Sequence, residues 1–310
     1  MNIVIYGTGG VGGYFGARLV QAGNNVTFIA RGKHLEEIKE HGLQLKSSKG
    51  DYLVYPAKAT SNISEIAAID LILVCVKTWQ LADVAQLIKP VLNEDTMVIS
   101  LLNGVENEQV LCSIIDKKHV LGGLCKVVSK IADFGLITHM SYEPTIVFGE
   151  LSNQRTNRAL QLEKTFLYAG ITVRLAENIQ KEIWIKFLYI STISALGALT
   201  KSSVGEMIAS PQIKKMMLQT AEEIVAVAKA KGIDLPKNII EVQFQIIENQ
   251  PYDTTSSLHR DMMEGKPTEL EAQNGTIVNL GLALGIPTPV NALIYYSLLP
   301  QEHKARAVNL

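Results

Sequence analysis

The three cysteines among 310 residues, Cys75, Cys112 and Cys125, are an odd number without metal-ligand spacing, so no metal site is expected and a reducing compartment fits. Cys75 lies inside an apolar run and reads as a small buried hydrophobe. An excess of either charge is also missing. Lys and Arg number 29 against 30 Asp and Glu, with no block of like charge, so nothing here neutralises a nucleic-acid backbone. The first residues, Met-Asn-Ile-Val-Ile-Tyr, lack a basic leader and a small-residue cleavage site, and they read as a strand instead of a secretory signal. The one stretch that approaches a membrane span, Ile183 to Thr200, contains Lys186, Ser191, Thr192, Ser194 and Gly197, so no membrane partner is expected. Repeats, low-complexity tracts and long linkers are absent. What remains is a hydrophobic share of 47% and a charged share of 19%, the composition of a compact cytoplasmic chain of about two domains at roughly 150 residues each.

Ile3 to Tyr6 is a short apolar run ending at Gly7, as in a strand buried on both faces. Val11, Phe15, Leu19 and Ala22 then recur at helical spacing, and Gly23 is placed as a C-terminal cap. Asn25 to Ala30, Leu71 to Val76 and Met97 to Leu102 read as further strands, with a helix around Leu81 to Leu92 and weaker strand signals near Val120 and Ile146. This alternation predicts a doubly wound parallel sheet over residues 1–177. From 178 to 310 the pattern is helical, for example Met216, Thr220, Ile224 and Ala228, so the second domain should be mainly α-helical. Pro236, Pro251, Gly265-Lys266-Pro267 and Gly285-Ile286-Pro287 mark its breaks.

Gly7-Thr8-Gly9-Gly10-Val11-Gly12 fits G-x-G-x-x-G between the first strand and the first helix, the position of a dinucleotide cradle. Gly7 permits the tight turn, Gly9 lets a pyrophosphate approach the backbone, and Gly12 lets helix and strand pack closely. At the end of the second strand, where an NAD site usually places an acid for the ribose, the sequence has Ala30-Arg31-Gly32-Lys33. A guanidinium there suits a 2′-phosphate, so NADPH is the expected cofactor.

Lys186 is the only charged side chain between Ile183 and Thr200. An ammonium beside an apolar stripe is a poised proton donor if it meets an acid; it can equally snorkel out and pair with Glu182. Ser257, Asp261 and Glu269 flank Lys266-Pro267-Thr268, and Pro267 and Thr268 suit a helix start that would put Glu269 in the first turn, for chemistry or for capping alone. Lys77-Thr78-Trp79-Gln80 and Leu102-Asn103-Gly104 each follow a predicted parallel strand, at the end where ligands bind in open α/β sheets; each can also be an ordinary loop or turn.

Taken in order, Gly7 to Gly13, Val76-Lys77-Thr78-Trp79-Gln80, Leu102-Asn103-Gly104, Trp184-Ile185-Lys186-Phe187, Ser256-Ser257 with Asp261, and Thr268-Glu269-Leu270 with Asn274-Gly275 resemble the ketopantoate reductases (2-dehydropantoate 2-reductases) across essentially the whole chain. The resemblance implies an N-terminal Rossmann domain, a helical C-terminal domain, and NADPH-dependent reduction of 2-dehydropantoate to (R)-pantoate, a step towards pantothenate and coenzyme A. It implies Lys186 as the general acid and Glu269 as the carboxylate that binds a substrate hydroxyl and helps orient the lysine. Asn103 and Ser257 would bind the 2-oxo acid substrate. Lys77, Gln80 and Asn103 would join the glycine loop and Arg31 at the cofactor. A homodimer is compatible with this reading.

The sequence departs from the best-characterised members at two positions. Asparagines four and eight residues after the lysine are replaced by Ile190 and Ser194. Isoleucine offers no hydrogen bond, so either another group compensates or the accepted 2-oxo acid or ketone differs. A rival of another class, a non-catalytic NADP-binding redox sensor, would need neither Lys186 nor Glu269.

Overall fold

The computed structural model describes residues 1–140 and 143–308; residues 309 and 310, the end of the expected second domain, lie outside the described residues. The chain divides into two compact units, Met1–Leu102 with Glu106–Ile179, and Asn103–Val105 with Gln180–Leu310. The division after Ile179 differs by two residues from the sequence boundary at 177, and the short segment Asn103–Val105 is separated from its neighbours in the chain.

The first unit contains strands β1 (Asn2–Tyr6), β2 (Asn25–Ile29), β3 (Leu43–Ser47), β4 (Tyr52–Val54), β5 (Lys58–Thr60), β6 (Leu71–Val74), β7 (Met97–Ser100), β8 (Val120–Lys126), β9 (Ser129–Asp133), β10 (Leu136–His139), β11 (Thr145–Glu150) and β12 (Thr172–Leu175). Its helices are α1 (Gly10–Gln21), α2 (Gly32–His41), α3 (Leu81–Ile88), α4 (Asn107–Cys112) and α5 (Asn157–Tyr168). Eight strands form the main sheet in the order β12-β11-β8-β7-β6-β1-β2-β5. Alternation along β1 sends Ile3 and Ile5 into one core with Phe15 and Phe28, and Val4 and Tyr6 into another with Ile72, Val74 and Leu81. Both faces are buried, which is why the strand reads as an unbroken apolar run. The chain leaves β1 towards β2 and returns to β6 on its other side, so the switch point of the sheet lies beside β1. Helix α1 ends as its sequence suggests: Gly23, at φ +81, donates to Val20 and Asn24 donates to Leu19, the paired bonds of a left-handed cap.

Two features of this unit differ from the sequence reading. The sheet is mixed, because β11 runs antiparallel to β8. Among the described residues the connection between them holds two short strands, β9 and β10, instead of the crossover helix usual between parallel neighbours. A second sheet, β4-β3-β10-β9, was not expected; its strands are three to five residues long, so the alternation of β3 and β10 spans too few residues to stand out. Its Leu45 and Ile137 share a core with Phe15 of α1.

The second unit is helical: α6 (Ile179–Thr200, beginning in the last residue of the first unit), α7 (Val204–Ala209), α8 (Pro211–Ala230), α9 (Ile239–Glu248), α10 (Ser257–Met263), α11 (Thr276–Leu284) and α12 (Pro289–Val308). Its core joins Ile193 and Leu196 of α6, Met217 of α8, Val278 of α11, and Ile294 and Leu298 of α12. On α8 the buried stripe includes Met217, Thr220, Ala221, Ile224 and Ala228, so Met216 sits at its flank instead of its centre. Helix α6 has the length and hydropathy of a membrane span, but 67% of its most apolar window is buried inside the protein.

Candidate active site

In the first unit the glycine loop joins β1 to α1. Gly7 has φ +104, and a Cβ there would come within 2.9 Å of the Cys75 carbonyl carbon and oxygen and the Val76 side chain. Gly12 presses on the Gly7 carbonyl, where a Cβ would collide. Gly9, the N-cap of α1, differs: a Cβ would find nothing within 4 Å, so the backbone lies open on that side. The N–H groups of the first turn, Gly10 to Gly12, have no intrahelical acceptors, which makes this end of α1 a seat for an anion. These residues therefore fit a dinucleotide pyrophosphate.

Thr8 does not share in that seat. Its N–H and Oγ1 both donate to the Ile29 carbonyl, at 3.1 and 2.9 Å, and its carbonyl accepts from His34 Nε2 at 2.8 Å. With these groups committed and the residue buried, Thr8 fastens the loop to β2 instead of offering donors outward. His34, which the sequence reading missed, is buried between two segments. Its Nδ1 accepts from the Gly135 N–H at 3.0 Å, so Nε2 carries the proton given to Thr8. Burial holds this imidazole below its ordinary value of 6.5. No local sequence signal marks it, because its partner is 101 positions away.

Arg31 is the N-cap of α2, two positions past β2, exposed, and makes no cap bond with its side chain. Lys77 follows β6 and caps a short helical turn, with its ammonium 6.0 Å from the Trp79 ring centroid. The Gln80 carboxamide oxygen accepts from the Lys77 N–H at 3.2 Å, so that atom shapes the turn. Cys75, one residue past β6, is partly exposed as a residue, but its side chain packs on the core with Phe15 and Phe28, as expected, and burial pushes its thiol well above the ordinary value.

In the second unit, Asn103 Nδ2 donates to Glu269 Oε2 at 2.8 Å, although the two residues are 166 positions apart. Glu269 is buried. A helix does start here, but Glu269 stands just ahead of it instead of in its first turn: the Glu269 carbonyl accepts the first bond, from four residues on, and the Gly275 N–H donates to the Leu270 carbonyl five residues back, which makes Glu271–Gly275 a π turn ahead of α11. Gln273, fully buried just after Glu269, donates its N–H to the Glu269 carbonyl at 3.0 Å, and neither atom of its side-chain amide has a partner. Lys186 is partly buried on α6; Ile190 and Ser194, one and two turns on, share its face. Ile190 is partly exposed, whereas Ser194 is fully buried with its hydroxyl unpartnered. Ser257, partly buried, is the first residue of α10, after the capping Ser256. Among the described residues no group of three His, Cys, Asp or Glu side chains could hold a metal.

Two family models match almost end to end, that of ketopantoate reductase PanE/ApbA over residues 3–153 and that of its C-terminal domain over residues 178–302. The chain belongs to the ketopantoate reductase family. It is 31% identical over 302 residues to the uncharacterized oxidoreductase YkpB of Bacillus subtilis strain 168, covering 97% of this chain and 99% of that protein. It is 28% identical over 300 residues to the 2-dehydropantoate 2-reductase of Nostoc sp. PCC 7120, covering 95% and 93%. The crystal structure of a PanE/ApbA family ketopantoate reductase from Ralstonia eutropha JMP134 superposes with a TM-score of 0.91 at 32% identity, covering 99% and 100%. The family's architecture is the one seen here, a Rossmann-like domain followed by a helical one, and the protein is an oxidoreductase of this family.

Proposed function

We propose that this oxidoreductase is a cytoplasmic, NADPH-dependent reductase of 2-dehydropantoate, forming (R)-pantoate for pantothenate and coenzyme A synthesis. The observation that most supports this reading is the bond from Asn103 to Glu269, which joins two side chains that the family resemblance assigns to the substrate. The named relative from Nostoc favours the same substrate. When bound, NADPH supplies the hydride. The open backbone at Gly9 and the first-turn N–H groups of α1 would hold its pyrophosphate, and Arg31 its 2′-phosphate. Lys186 would give a proton to the ketone oxygen, its ammonium stabilising the alkoxide as charge develops there. Glu269 would accept a hydrogen bond from the substrate hydroxyl, with Asn103 steadying the carboxylate, and Ser257 would donate to the substrate carboxylate.

A second reading keeps the chemistry and changes the 2-oxo acid. It is favoured by Ile190, which removes a hydrogen-bonding side chain from the Lys186 face, and by the relative YkpB, an oxidoreductase without a named substrate. The deciding experiment mixes the protein and NADPH with 2-dehydropantoate, 2-oxoisovalerate and other branched 2-oxo acids, and follows nicotinamide absorbance. 2-Dehydropantoate is expected to give the highest kcat/KM, and Lys186→Ala to lower turnover by a factor of about 10² to 10⁴. No reduction of any 2-oxo acid, or full turnover by Lys186→Ala, would overturn the proposal.

A further inference from the structure

One face of α12 holds the segment that bears Glu269. Asn291, Tyr295, Glu302 and Arg306 recur on that face at helical spacing, and their partners run the opposite way along the chain. Asn274 Nδ2 donates to Asn291 Oδ1 at 2.9 Å, and the Tyr295 hydroxyl donates to the Glu271 carboxylate, 2.7 Å from each oxygen. Thr268 is held most closely. Its N–H donates to Glu302 at 3.1 and 3.0 Å, and its hydroxyl donates to Glu302 Oε2 at 2.6 Å while accepting from the Leu270 N–H at 3.2 Å. Its carbonyl accepts from Arg306 at 3.1 Å, and Arg306 Nε in turn pairs with Glu302 at 2.8 Å. Every polar group of the residue before Glu269 is thus fixed. The seam is anchored at its other end, where Glu223 of α8 accepts from the backbone N–H groups of Val290 and Asn291 and from Asn291 Nδ2.

Glu302 is fully buried. Stability alone does not call for such a group, since apolar packing of similar volume often does as well as a buried ion pair. What the pair gives is direction: a carboxylate with two oxygens and a planar guanidinium admit one orientation of the Thr268 backbone, and so one exit path for the chain into Glu269. We propose that Glu302, with Arg306, is a positioning device that sets the Glu269 carboxylate against Asn103 through Thr268. It touches no substrate and acts through Glu269, so the inference rests on the role proposed for Glu269 above.

The test compares Thr268→Val, Thr268→Ser and Glu302→Gln in the full-length protein, alone and combined with Glu269→Ala. The readouts are kcat/KM for the 2-oxo acid that the unaltered protein reduces fastest, the Kd for NADPH, and Tm. Thr268→Val removes the short hydroxyl bond but keeps the volume and the Glu302–Arg306 pair, which Glu302→Gln breaks. It is expected to lower kcat/KM about 10- to 100-fold, the scale of a small misplacement, with the NADPH Kd unchanged. Thr268→Ser is expected to stay within about threefold of the unaltered protein, since it retains all three polar groups. In the Glu269→Ala background Thr268→Val should have no further effect, because the path to the substrate is already cut. A further multiplicative loss there overturns the proposal, as does normal kcat/KM for Thr268→Val when Glu269→Ala alone is impaired. Full activity of Glu269→Ala instead refutes the role of Glu269 and takes this inference with it, a result separable from the other two.

Discussion

Glu108 allows a prediction whose size can be worked from the structure. It lies on α4 and is 4% exposed; its carboxyl interacts with its own backbone N–H and accepts from the Gly123 N–H at 3.4 Å, while Oε2 has no partner. Burial raises this carboxyl to about 7 from an ordinary 4.5. Between those two values the folded protein keeps a proton that the unfolded chain has released, so stability falls as pH rises from 4.5 to 7. At about 1.36 kcal/mol per pH unit the full cost is about 3 kcal/mol, reached near pH 7 and constant above it. Glu108→Gln keeps the acceptor for Gly123 and cannot ionise. The variant is therefore expected to match the unaltered protein at pH 4.5 and to exceed it by up to about 3 kcal/mol at pH 8, read from urea unfolding followed by circular dichroism at several pH values. A stability difference that is the same at pH 5 and pH 8 would refute the reasoning, because only titration of this carboxyl makes it depend on pH.

His34 has the opposite sign: its depressed value means that the unfolded chain takes up a proton first, so its contribution is present above about 6.5 and declines as pH falls below that. His34→Gln can serve both Gly135 and Thr8 without titrating, and the Tm difference between it and the unaltered protein should shift in its favour on going from pH 7.5 to 5.5. For the cofactor, Arg31→Ala is expected to remove about 1.5–3 kcal/mol of preference for NADPH over NADH, measured as the ratio of the two Kd values. Equal Kd values in the unaltered protein would dismiss Arg31 as the phosphate partner. At Ile190, restoring an asparagine is expected to sharpen the kcat/KM ratio of 2-dehydropantoate over 2-oxoisovalerate by about tenfold or more, since a polar site rejects a substrate lacking the matching hydroxyl. An unchanged ratio would show that residue 190 does not meet the substrate.

The sequence by itself determined what depends on near neighbours. The strand at Ile3 to Tyr6 follows from a short unbroken apolar run, the helical stripe of α8 from the 3.6 residue period, and the glycine loop and the left-handed cap at Gly23 from backbone freedom at single positions. The order of motifs along the chain was enough to point to the family. Tertiary structure decided the rest, because the contacts involved are distant in sequence and leave no local pattern. Asn103 finds Glu269 across 166 positions, His34 finds Gly135 across 101, and Thr268 finds Glu302 across 34. The same holds for the second sheet, whose strands are too short to be read singly and are specified by pairing with one another. At Glu269 the sequence favoured a helical first turn because Pro267 and Thr268 suit a helix start, but the clamp from α12 and the π turn that follows impose a different path. Local propensity is worth tenths of a kcal/mol per residue, and a buried carboxylate satisfied by an arginine and a threonine outweighs it.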